Sequence, residues 1–196
     1  MTSARIAKTA VASSIMLVEE FVARGWTANR HPVRDEADVA QSALLVPPSG
    51  ALPLKLTIVT YPDGGGQLVE FICEPSRGTG KWSNCTRSYW RISVFDAPAP
   101  ALLATARFAI TSERGPIFDT AVHEGWEACS THTADGHLES TTFVHPAGQV
   151  AAAYHYPDTP GECGAWLIHG PGCYADATGH APAPLIRQLA ESLLVH

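Results

Sequence analysis

The chain is short of charge, of long apolar runs and of any pattern that would staple or anchor a fold. Only 16% of its residues are charged, and its apolar stretches are broken by Pro, Gly or Ser. A membrane-spanning helix takes about 20 consecutive apolar residues, so none is expected. Cations are scarce in the second half. Residues 111–196 hold two Lys/Arg against ten Asp/Glu, net −8, while residues 1–110 hold eleven against nine, net +2. With a net charge of −6 and a pI near 5.8, the chain is not a generally basic nucleic-acid binder. The five cysteines (Cys73, Cys85, Cys129, Cys163, Cys173) are odd in number and form no CxxC pair. That excludes a disulfide-built secreted domain and reads as free thiols serving as small hydrophobes in a reducing compartment. A cytoplasmic location is therefore expected.

The N-terminus carries no export signal in this reading. Arg5 and Lys8 precede a mildly apolar run, but Ser13 and Ser14 interrupt it and Glu19 and Glu20 close it. Val11, Ile15, Val18 and Val22 recur at spacings of four, three and four, which predicts a helix. With 45% hydrophobic residues over 196 positions, the chain can bury a sizeable core and is neither disordered nor a coiled coil. Asn84-Cys85-Thr86 fits the glycosylation pattern, a three-residue match that carries little in a cytosolic chain.

Four motifs recur in the same order. Gly25-Trp26 returns as Gly125-Trp126, and Val46-Pro47-Pro48-Ser49-Gly50 as Val144-His145-Pro146-Ala147-Gly148. Tyr61-Pro62-Asp63 returns as Tyr156-Pro157-Asp158, and Ala97-Pro98-Ala99-Pro100 as Ala181-Pro182-Ala183-Pro184, each time before a Leu-rich helix. The order reads as two copies of one unit, 1–111 and 112–196, joined over Ser112–Pro116. Within the first copy, Leu54–Thr60 alternates like a half-buried strand, and Leu68–Ile72 and Arg91–Phe95 are β-rich. In the second, Ser140–Val144, Gln149–Tyr156, Ala165–His169 and Cys173–Ala177 take equivalent places, after a helix expected over Ile117–His123. The expected fold class is α+β: two tandem repeats, each an antiparallel sheet of three to five strands flanked by helices. The alternative is one domain whose halves complete a single continuous sheet. Trp26 and Trp126, each just past a helix-ending Gly, are expected at corresponding core positions.

Gly125-Trp126, Pro146-Ala147-Gly148, Trp166-Leu167-Ile168, Tyr174-Ala175, Ala181-Pro182 and Leu185-Ile186 together resemble the small actinobacterial family catalogued as domain of unknown function 317. The first copy resembles it at Gly25-Trp26 and around Trp90 to Pro98, so the likeness spans most of residues 15–196. Cys173 stands where that family usually has an aromatic residue, and Ala181 where it usually has Thr. The resemblance implies an actinobacterial chain and brings no established activity and no functional residues.

No catalytic signature emerges. Arg77-Gly78-Thr79-Gly80-Lys81-Trp82-Ser83 is not a phosphate loop, because Trp82 occupies the hydroxyl position and Pro75 the earlier Gly position. Gly64-Gly65-Gly66 reads as a hairpin tip. Eight of nine histidines lie at or beyond His123, and Cys129, His132 and His137 are near enough in sequence to share a metal with Cys163, His169 or Cys173. The spacings are irregular, however, and solvated histidines with buried thiols are the plainer reading. No Gly-x-Ser-x-Gly elbow occurs, and Asp135, Glu139, Asp158 and Glu162 read as solvated turn carboxylates. No metal, no cofactor and no enzymatic activity are expected.

The copies differ most between Tyr61 and Ala97, 36 steps apart, against 25 between Tyr156 and Ala181. The longer stretch interleaves cations with aromatics: Lys81, Trp82, Arg87, Tyr89, Trp90 and Arg91. That mixture suits a protein hot spot. It also suits stacking on bases beside phosphates, or plain Trp packing with Arg stems around it. The expected function is a non-catalytic binding or adaptor protein engaging a protein partner, or itself, through these six residues. The alternative is single-stranded nucleic-acid binding through the same segment, confined to the less acidic first half.

Overall fold

The computed structural model describes residues 14–31, 41–48, 54–61, 66–73, 89–111, 125–159, 162–178 and 180–194. The first helix, α1 (14–23), ends where Gly25 adopts φ 86°, a left-handed turn that glycine takes without strain. The Gly25 and Trp26 amides return to the Val22 and Phe21 carbonyls at 2.9 and 3.2 Å. Trp26 then folds back edge-on to Phe21, ring centroids 5.2 Å apart. The buried stripe of α1 is Ser14, Leu17, Val18 and Phe21. Val22, expected on that stripe, is 47% exposed, and Val11 lies outside the described residues. The cause is polar: the Ser14 hydroxyl bonds with that of Thr60 and accepts from Gln67 Nε2 at 2.7 Å, which turns this side of the helix onto the sheet.

The strands are β1 (Thr27–His31), β2 (Gln41–Val46), β3 (Leu54–Thr60), β4 (Gln67–Cys73) and β5 (Trp90–Phe95), followed by helix α2 (Ala99–Thr111). Then come β6 (Glu127–His132), β7 (Leu138–Val144), β8 (Ala151–His155), β9 (Ala165–Gly170), β10 (Cys173–Thr178) and helix α3 (Ala183–Ser192). All ten strands form one sheet in the order β1-β2-β3-β4-β5-β10-β9-β8-β7-β6, and every neighbouring pair is antiparallel. This overturns the expectation of α+β tandem repeats each with its own sheet flanked by helices. The described residues form a single ten-stranded sheet with three short helices. The physical reason is edge pairing. The free edge of β5 and the free edge of β10 satisfy each other's backbone groups, with Tyr174 opposite Phe95 and Ala177 opposite Ile92, so neither is left open to solvent. The joint Ser112–Pro116 and the helix expected over Ile117–His123 lie outside the described residues.

The helices share one face. Buried Leu54, Leu56, Ile58 and Thr60 alternate along β3 with less buried neighbours, and the same period runs through β4, β9 and β10. Onto that apolar face α3 packs against β8 and β9, and α2 packs against α3. Below β7–β9 the core is aromatic: Trp166, with no exposed surface, lies 4.9 Å from Tyr154 and 6.3 Å from Phe143 between centroids. Pro98 and Pro182 stand at the helix starts, where their carbonyls accept the Ala101 and Leu185 amides at 3.0 and 2.9 Å. Among the described residues no helix is long and apolar enough to cross a membrane.

The two Gly-Trp tryptophans are not equivalent. Trp26 is buried in the core, whereas Trp126 is half-buried and stands edge-on to His145 at 5.0 Å. Trp26→Ala is expected to cost about 3–5 kcal/mol, a usual large-to-small core penalty, and Trp126→Ala about 1–2 kcal/mol, in line with the smaller apolar area it hides. Urea melts of the two single variants measure the difference, and equal losses would contradict it.

Candidate functional site

Because Ile92 and Val94 of β5 and Ala175 and Ala177 of β10 point toward the helices, their alternate neighbours point the other way. Arg91, Ser93 and Phe95 therefore line up with Tyr174, Asp176 and Thr178 on the face that no described helix covers. Phe95 and Tyr174 stack with centroids 4.3 Å apart and planes 12° from parallel, and Tyr174 remains 45% exposed. The Arg91 guanidinium lies 3.7 Å from the Glu70 carboxylate, and the Arg91 amide donates to Thr178 Oγ1 at 3.2 Å. An ion pair this exposed contributes less than about 1 kcal/mol, so it orients Arg91 more than it stabilises the sheet. Ser93 is buried between its cross-strand neighbours Glu70 and Asp176.

Of the six residues singled out in the sequence, Lys81, Trp82 and Arg87 lie outside the described residues. Tyr89 is 46% exposed at the start of β5 and Arg91 is on the open face, so these two are brought together. Trp90 is 6% exposed and belongs to the core. It presents no face to a partner because its place in β5 turns it toward the helices. The Arg77-Gly78-Thr79-Gly80-Lys81-Trp82-Ser83 motif, Asn84-Cys85-Thr86 and Gly64-Gly65 also lie outside the described residues.

Where the strand ends of β8, β9 and β10 meet Tyr89, a cavity of about 380 Å³ opens, lined among others by Tyr89, His155, Cys163, Leu167, Asp176 and His180. Cys163 Sγ sits 2.8 Å from Nε2 and 3.2 Å from Nδ1 of His180. Two local constraints set this pair. A Cβ at position 164 would lie 2.1 Å from the His155 carbonyl oxygen and 2.7 Å from the Tyr154 ring, so only glycine lets the chain pass and holds Cys163 against β8. His180 sits on a turn closed by the Ala181 amide donating to the Thr178 carbonyl at 2.8 Å. Phe95, Tyr174 and His180 were not legible as site residues, and Cys163 stood out only as a completing ligand for a metal. Cys163 and His180 are 17 positions apart with the β9–β10 hairpin between them, and no local spacing motif announces the contact.

The residues weighed as metal ligands are dispersed. Cys129 and His132 lie on β6, whose six residues are all exposed, and His137 faces Asp135 at 3.5 Å in the next hairpin. Cys173 is buried toward the helices, while His169 is exposed. Among the described residues no three His, Cys, Asp or Glu side chains are grouped to hold a metal ion. No family model, no curated protein and no solved structure matches this chain.

Two groups link stability to alkaline pH. Burial pushes the Tyr154 phenol above its ordinary value, against the pull of a hydrogen bond from the Gly164 backbone. Burial pushes the Cys173 thiol up as well, and the negative charge of Asp96 adds to it. In both cases the folded chain holds its proton longer than the unfolded chain does. The stabilisation is therefore fully present below the unfolded thiol and phenol values, about 8.5 and 10, and is lost as pH rises through the raised folded values. The urea midpoint is expected to hold to about pH 8 and to fall above it. Cys173→Ala should flatten the onset of that fall, and melts at pH 7.5, 9 and 10 check both.

Proposed function

We propose that this chain is a non-catalytic binding protein that docks a protein partner on the helix-free face of its sheet, along the β5–β10 seam. The observation that carries the reading is the alignment there of Tyr89, Arg91, Phe95 and Tyr174, with both tyrosines nearly half exposed. Tyr and Arg are enriched at protein hot spots: Tyr buries much area at little entropic cost and keeps a polar end, and Arg presents a planar fork of donors. The acidic surplus of residues 111–196 favours a partner that brings cations and disfavours a polyanion. A reducing, cytoplasmic setting belongs to the same proposal and is supported by Cys73, Cys129, Cys163 and Cys173 being unbridged. The resemblance to the actinobacterial family is part of it too, and assigns no activity.

A photo-crosslinking residue at position 174, introduced in the native host, tests this against the same residue at exposed Met16 on α1. A discrete protein adduct is expected at 174 and not at 16. With the partner in hand, Tyr174→Ala and Tyr89→Ala should each weaken binding about tenfold or more at an unchanged melting temperature. Crosslinking only to nucleic acid, with affinity for a random oligonucleotide falling steeply with salt, would replace the reading by single-stranded nucleic-acid binding. Equal crosslinking at both positions would overturn it.

A further inference from the structure

The cavity beside the seam, which shares Tyr89, Asp176 and Thr178 with it, has its own chemistry. It places a thiol, Cys163, against an imidazole, His180, inside about 380 Å³ of space. Cys163 is exposed, so a reagent can reach it. The walls divide by character. Tyr89, Leu167 and Ala165 give an apolar side, while His155, Asp176 and Thr178 give charged and hydroxyl groups. A nucleophile beside a base, with room for a small molecule that has both an apolar stem and ionic ends, is the arrangement from which covalent chemistry at sulfur starts. Among the described residues no other thiol lines the cavity: Cys173 and Cys73 are buried, and Cys129 is on the edge strand β6.

We propose that Cys163 and His180 form a thiol–disulfide exchange site that takes a small, polar, low-molecular-weight disulfide into this cavity and leaves Cys163 joined to half of it. As Cys163 sulfur attacks one sulfur of the disulfide RSSR, its proton passes to an imidazole nitrogen of His180. The S–S bond of the reagent breaks, a new S–S bond forms at Cys163, and the departing thiolate takes the proton back from His180. In sum, Cys–SH and RSSR become Cys–S–SR and RSH. The small disulfide is reduced on one half and Cys163 is oxidised, with no other co-reactant. An external thiol reverses the step by attacking the mixed disulfide and releasing Cys163. This site does not depend on the seam's being a docking surface.

Cystine is a suitable probe, since it is small and carries an amine and a carboxylate on each half. The reduced full-length protein is treated with cystine at pH 7, and the modification of each cysteine is followed by peptide mass spectrometry. Exposed Cys129 serves as the internal reference, and buried Cys73 and Cys173 report any unfolding. Cys163 is expected to react at least about tenfold faster than Cys129, and His180→Gln to remove about that factor from Cys163 while leaving Cys129 unchanged. Ala165→Leu, which narrows the cavity, should slow cystine more than it slows iodoacetamide. Reaction of Cys163 no faster than Cys129, or an unchanged rate in His180→Gln with Cys73 and Cys173 still protected, would overturn the proposal. If Ala165→Leu slows both reagents equally, the cavity does not select the disulfide and the binding half of the proposal falls.

Discussion

The antiparallel pairing of β5 with β10 is the contact on which the rest of this molecule depends. β5 is the last strand of the first run and β10 the last of the second, so each would otherwise end its sheet with a row of unpaired amides and carbonyls. Joined, they place Ile92 and Val94 beside Ala177 and Ala175 in the middle of one continuous apolar face. Beside it, α2, itself rich in buried Ala101, Ala106 and Ala109, packs against α3, which in turn packs on β8 and β9.

The same pairing makes the two surface features. On the other side of the seam it stacks Phe95 on Tyr174 and sets Arg91 beside Thr178. At the end of the strands it brings Tyr89 to the mouth of a cavity whose remaining walls come from β8, β9, β10 and the turn before α3. The cavity needs one further condition, the close approach at Gly164, where the chain threads between the Tyr154 ring and the His155 carbonyl. A residue with a side chain there would push Cys163 away from His180. A backbone constraint on β8 therefore decides whether thiol and imidazole meet.

What could be read from the sequence was what depends on neighbours in the chain. Alternation located β3, β-rich composition located β4 and β5, equivalence to the first copy located β7, β8, β9 and β10, and the Pro-led, Leu-containing segments located α2 and α3. β6 escaped notice because all of its residues are exposed, so it has no buried side to create a period. β1 and β2 lack a clean alternation as well. The orientation of α1 was misjudged by one position because a Ser14–Thr60–Gln67 hydrogen-bond group, invisible to hydrophobic spacing, selects the side that faces the sheet. Of the binding residues, Tyr89 and Arg91 were legible from composition, but Trp90 is turned inward by the period of its own strand. Tyr174, Cys163 and His180 acquire their meaning only from the β5–β10 and β9–β10 pairings, which no local pattern encodes.

Native-state hydrogen exchange of the seam amides tests the single sheet most directly. If β5 and β10 are joined as described, the hydrogen-bonded amides within Ile92–Phe95 and Tyr174–Ala177 should be among the slowest in the chain. They should exchange with the same opening free energy as the centres of β4 and β9, since all of them open only on global unfolding. Seam amides exchanging orders of magnitude faster than those of β4 and β9 would contradict it, because the sheet would then part at β5–β10 into two separately stable pieces.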